Sequence, residues 1–215
     1  MSQENWQGCD QPDTILNQLQ EKVSPRRLRL AACAFGRRVW DHLSEDDRRA
    51  LEIAECYADE LATKSELQDA RKKCRNSQFG EAITAGGAWE SARSTSSATA
   101  WIAVISAPLL VGGVHINALR KQAELLRDIF GMNPRGFPVD PHWFGWGQGT
   151  VRQLAGAIYQ ERRFADVPVL GDALEEAGCD NPDILSHCRS GEEHVRGCWV
   201  LDLFLEKQVN VGKSS

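Results

Sequence analysis

The chain has 215 residues, a net charge of −5, 42% apolar and 26% charged residues, which is ordinary for a soluble globular protein. That length allows one large domain or two small ones with a proper core, and the acidic balance argues against a general nucleic-acid binder, whose footprint is a basic excess. The opening "MSQENWQGCDQPD" has neither a basic start nor an apolar core, so no secretory leader is expected. Its seven scattered cysteines fit reduced thiols in a cytoplasm better than a disulfide scaffold.

In chain order, residues 11–21 read as a short helix, with Asp10 as cap and Pro12 in the first turn. Ser24 caps a second, "PRRLRLAACAFGRRVWDHL". Here Leu28, Ala31, Ala32, Phe35, Val39, His42 and Leu43 recur at helical spacing and define an inward stripe. "SEDD" starts a third helix, with Ser44 as cap and acids complementing the helix dipole; "SELQDARKKCR" reads as a fourth. Helices are expected over about 79–107 and 114–130, the second stopped by Gly131.

"NPRGFPVDPHWFGWGQG" reads as the one real loop, set by its Pro, Gly and aromatic content. Thr150 opens "TVRQLAGAIYQERRF". "VPVLGDALEEAG" follows and stops at Gly178, "NPDILSHC" and "HVRGCWVLDLFLEK" close the fold, and 208–215 is a frayed tail. No strand-like alternation persists. The expectation is an all-α, multi-helical bundle of about eight to ten helices, a single domain over 1–207 with the loop at 132–149 separating two subregions.

Between Ser94 and Leu119 there is no charged residue, and "AWIAVISAPLLVGGV" is long enough to consider as a membrane span. Pro108, Gly112 and Gly113 suit a bent core helix better, so 98–114 is read as buried, with Trp101, Ile102 and Ile105 inside and membrane insertion as the lesser reading. "CDQPD" at 9–13 echoes "CDNPD" at 179–183, each followed by Ile-Leu. The match has two readings, a duplicated helix pair or convergence on helix-start chemistry.

Four segments, "SPRRLRLAACAFGRRVW", "AECYADELAT", "LLRDIFG" and "LGDALEEAGCDNPDILSHCRSGEEHVRGCWVLDLFL", together resemble a helical domain abundant in planctomycete-type bacterial genomes. The resemblance covers most of the chain and is weakest at 76–118. It implies a helical fold and a bacterial setting; that group has no established activity, so it implies no function. Its members often carry Leu where Cys188 stands here.

Cys179, Cys188, His194 and Cys198 follow the spacing Cys-x8-Cys-x5-His-x3-Cys, close to that of a compact zinc knuckle. Zinc wants four N or S ligands in a tetrahedron, and His194 and Cys198, read as i and i+4 on one helix, make a workable pair. Ile184 and Leu185 inside the motif look like core anchors, and cysteines often pack as small hydrophobes. Packed thiols are the preferred reading, with no cofactor required and well under one equivalent of zinc expected.

Other chemistry is thinner. Cys33 lies between Arg29 and Arg37, which would favour a thiolate, but no partner histidine is identifiable. Arg37 and His42 match the arginine–histidine spacing of HEPN-type ribonucleases, although 18 arginines and five histidines make such a pair easy to reach by chance. "GWGQGTVR" lacks the strand and the lysine of a nucleotide loop, while exposed aromatics such as Trp143 and Trp146 would anchor a partner.

Arg26, Arg27, Arg37 and Arg38 are expected on the outer face of the second helix, matched by Glu45 to Asp47 or offered to an acidic partner. On the second reading, changing Arg26, Arg27 and Arg38 to Glu leaves folding nearly intact and abolishes partner capture. These observations together point to a cytoplasmic interaction or regulatory module with an unidentified protein partner. A HEPN-like ribonuclease is the alternative and a membrane-acting effector the third reading; nucleic acid and membrane are not expected partners.

Overall fold

A computed structural model of the chain describes residues 9–12, 14–15, 24–74, 115–131 and 139–207, without the side chains of His42 and 115–118. The expectations for 79–107, for the apolar run at 98–114 and for the tail lie outside the described residues, as do most of the first helix and thus the comparison of the two Cys-Asp echoes. Among the described residues there are nine α-helices and no strand, so the protein is all-α. None of those helices is long and apolar enough to cross a membrane. The chain divides into two compact units, Met1–Leu126 and Arg127–Ser215.

The first unit contains α1 (Pro25–Arg37), α2 (Glu45–Ala58) and α3 (Lys64–Lys73). Ser24 caps α1 by accepting the Arg27 N–H, with Pro25 at a position where a missing N–H costs nothing. Ser44 caps α2 by accepting the Asp47 N–H, and Thr63 and Glu66 form a capping box on α3. The expected two-faced second helix is corrected in part. Leu28 is only half-buried, while Arg27, Arg29 and every residue from Leu30 to Gly36 are buried. Small side chains at Ala31, Ala32, Cys33, Ala34 and Gly36 let neighbours approach the backbone from several sides, so α1 is enclosed rather than amphipathic. The helix also stops at Arg37, earlier than expected, and Trp40–His42 form a separate 3-10 turn.

α4 (His115–Phe130) ends at Gly131, whose φ of +64° is the left-handed conformation a helix stop wants. Its last turn, from Arg127, belongs to the second unit. The region expected to be loop is partly helical: α5 (Pro141–Gly145) is capped by Asp140, and a 3-10 turn covers Trp146–Gln148. Proline at the first helical position and an aspartate cap overcome the glycine content there. α6 (Thr150–Gln160), α7 (Val167–Glu176), α8 (Pro182–Cys188) and α9 (Trp199–Phe204) complete the unit. Val151, Ile158, Leu170, Leu174, Ile184, Val200, Leu201 and Phe204 are fully buried in one core.

α7 and α8 approach closely at Gly171, where an added Cβ would stand 2.8 Å from the Cys188 Cβ. That contact explains why a glycine interrupts an otherwise leucine-rich helix. The expected helix at 194–207 is shortened to α9. Gly197, at φ +95°, takes the third position of a turn in which the Val195 carbonyl accepts the Cys198 N–H at 2.9 Å.

Candidate metal centre

The turn before α9 controls the chemistry of the second unit. His194 lies just ahead of it and Cys198 closes it, so both side chains leave a tight bend rather than one helical face. α8 supplies a third group. Asn181 caps α8 by accepting the Asp183 and Ile184 N–H groups, Ile184 and Cys188 anchor it in the core, and His187 occupies its last turn. Just beyond, Arg189 bridges to Asp172 and Glu175 on α7. The fourth group is Asp128, in the last turn of α4.

The ligand atoms of Asp128, His187, His194 and Cys198 all lie within 4.8 Å of one another. His187 Nε2 stands 3.2 Å from Asp128 Oδ1 and 3.3 Å from Cys198 Sγ. His194 Nδ1 stands 2.7 Å from the same Oδ1 and 3.9 Å from the same sulfur. Around a zinc ion at its usual bond lengths, a tetrahedron has N–O edges of about 3.4 Å and N–S edges of about 3.6 Å. Three of these four distances fall within a few tenths of an ångström of those edges, while the widest separation in the set, up to 4.8 Å, would have to close by about an ångström. The fourth is a hydrogen bond that an ion would open by about 0.7 Å.

The pattern of contacts separates this cluster from a nucleophile–base–acid relay. In a relay, the histidine turns one ring nitrogen to the nucleophile and the other to the carboxylate. Here each histidine presents the same nitrogen to both Asp128 and Cys198. Two imidazoles, a carboxylate and a thiol therefore point at one place. As hydrogen bonds alone this is frustrated, because a nitrogen donating to Asp128 has no lone pair left for the thiol proton. A cation in the centre satisfies all four.

Asp128 is oriented for that role. Its Oδ2 accepts the Val195 N–H at 2.9 Å, which leaves Oδ1 for the centre. Burial raises its pKa, but hydrogen bonds and charge from His187 and His194 outweigh that and hold the carboxyl at about 2. Burial pushes the Cys198 thiol well above its usual range, so it holds its proton, and a cation binding there would have to displace that proton. Trp199 packs against the His187 ring at 5.0 Å. Its indole also lies where a Cβ on Gly131 would be, 2.9 Å from Cγ, so Gly131 is required by space as well as by φ. The other His194 nitrogen, Nε2, is buried with no hydrogen-bond partner among the described residues.

Of the residues proposed from spacing, the structure brings His194 and Cys198 together and leaves Cys179 and Cys188 outside the four. Cys179 and Cys188 are buried in the apolar core, and burial pushes the Cys188 thiol up to about 12. His187 and Asp128 were missed. His187 sits inside the same short stretch, whereas Asp128 is 66 residues from His194 and carries no local signal.

No protein-family model, curated protein or solved structure matches this chain.

The arginines do not share one exposed face. Arg26 donates Nε and Nη2 to Asp59 Oδ1 at 3.0 and 2.8 Å. Arg37 forks onto both Glu55 oxygens at 3.0 and 2.8 Å and lies over the Trp40 ring. Arg27 is buried and Arg38 exposed. The acids that hold Arg26 and Arg37 are Asp59 and Glu55 from the end of α2. The side chain of His42 lies outside the described residues. Cys33 is buried with Val39, Leu43 and Leu51 rather than facing solvent between arginines. Trp143 is buried and Trp146 half-buried against the core of the second unit, which supplies both with partners inside the chain.

Proposed function

We propose that the second unit is a helical module organised around one zinc-class ion, held by Asp128, His187, His194 and Cys198, and that the ion's role is structural. The observation that carries this reading is the convergence of four donors on one place, each histidine using a single nitrogen for two neighbours. Two imidazoles and a thiol disfavour magnesium and calcium, which take oxygen ligands. The thiol also separates the set from the open two-histidine, one-carboxylate arrangement of iron oxygenases. Four protein donors, three of them buried, describe the closed sphere of a structural site.

A module of this kind acts by binding rather than by reaction, which fits the interaction or regulatory role expected from the sequence. The test is cobalt substitution. The cobalt-loaded chain should give the intense visible absorption of a tetrahedral ion with a sulfur-to-metal charge-transfer band, and Cys198→Ser should abolish that band. A weak octahedral spectrum, or a band that survives Cys198→Ser, would refute the ligand set.

A further inference from the structure

Of the four donors, His187 is the least enclosed. Asp128 is 2% exposed, His194 4% and Cys198 fully buried, whereas the His187 side chain is 15% exposed. To Asp128 Oδ1 the His187 contact is the longer, 3.2 Å against 2.7 Å for His194, whereas to Cys198 Sγ it is the shorter, 3.3 Å against 3.9 Å. Asp128 is further fixed by the Val195 N–H, and Cys198 by the turn it closes.

His187 has a different setting. It lies in the last turn of a seven-residue helix, and the five residues that follow it beyond Cys188, Arg189 to Glu193, are all exposed. Cys188 packs that end against Gly171 of α7, and beyond it Arg189 bridges to Asp172 and Glu175 between side chains that are 39%, 68% and 58% exposed. Ion pairs in water contribute little, typically under about 1 kcal/mol. A turn of the His187 side chain about its own bonds would carry the imidazole toward solvent without unpacking Ile184 or Cys188, which hold the helix.

Resting on the metal reading above, we infer that His187 is the exchangeable ligand of the centre. It opens and closes the sphere for loading and release of the ion, and a small neutral nitrogen donor of the imidazole class takes its place when it is removed. Asp128, His194 and Cys198 then form the fixed cradle, a three-ligand set with one open position of the kind zinc uses to accept an outside ligand. Trp199, against the His187 ring, forms the wall of that position.

The test compares His187→Gly with His194→Gly in the full chain, loaded with cobalt. His187→Gly should bind cobalt at least about a hundredfold more weakly, the upper end of what losing a supporting contact alone costs. Millimolar imidazole should restore the tetrahedral spectrum saturably, one imidazole per cobalt. In His194→Gly, where the lost ring was sealed in the core, imidazole should restore nothing. Equal rescue of both variants, or no rescue of His187→Gly, would overturn the assignment.

A variant-free measurement guards against misfolding. In the unaltered chain, imidazole should accelerate transfer of cobalt to an added chelator in proportion to its concentration. A transfer rate indifferent to imidazole would overturn the inference while leaving the metal site standing. An unaltered chain that takes up no cobalt would overturn both.

Discussion

Chelation should lower the melting temperature of the zinc-loaded chain by roughly 5–10 °C, because an ion present at 100 times its dissociation constant adds about 2.7 kcal/mol to the folded state. The effect arises in the second unit, where Asp128 from the end of α4, His187 from α8 and the His194–Cys198 turn meet at the centre. Without an ion, the ring nitrogens compete for Asp128 Oδ1 and the Cys198 thiol faces nitrogens already engaged. Removing the ion therefore withdraws the one group that satisfies all four donors. Differential scanning calorimetry with and without a chelator measures the shift. It should vanish in Asp128→Ala, which lacks the carboxylate, and should shrink as the pH is lowered, since protons compete for the same donors. An equal shift in Asp128→Ala would mean that the ion acts elsewhere.

The second large effect concerns the first unit. Replacing Arg26, Arg27 and Arg38 together by Glu should destabilise the fold by about 3–5 kcal/mol, the usual consequence of breaking a buried ion pair from one side. Asp59 has a side chain with 0% exposure and receives two hydrogen bonds from Arg26. Glu at position 26 would set a second carboxylate against it. Arg27 is only 7% exposed, so a charge reversal there falls on an enclosed helix. Urea unfolding followed by circular dichroism reads the loss. Unchanged stability accompanied by loss of a captured partner would restore the exposed basic patch as the correct description.

These two effects differ in how far the sequence foretold them. The helical class was legible because its signals are local. Ser24, Ser44, Gly131 and Gly178 mark helix ends through hydrogen-bonding and φ requirements that depend on no distant residue. The environment of α1 was not legible. Arg26 and Arg37 look like an outer face on a helical wheel, but the length of arginine lets them reach the Asp59 and Glu55 carboxylates of α2.

The centre was half-legible for a related reason. His194 and Cys198 stood out by spacing. A knuckle template then drew in Cys179 and Cys188, whose thiols fill the core, and passed over His187 one residue away from Cys188. Asp128 could be found only in three dimensions, because a carboxylate at the end of a distant helix has no spacing to read. Gly197 also turned an apparent helical pair into a bend, which aims His194 Nδ1 and Cys198 Sγ at the same point.

The most direct measurement is the zinc content of the protein purified without chelator, compared among the unaltered chain, Cys188→Ser and Cys198→Ser. One zinc per chain, kept in Cys188→Ser and lost in Cys198→Ser, is the result expected of a centre made by Asp128, His187, His194 and Cys198. Zinc well under one equivalent in the unaltered chain, or zinc lost with Cys188 and kept without Cys198, would contradict it.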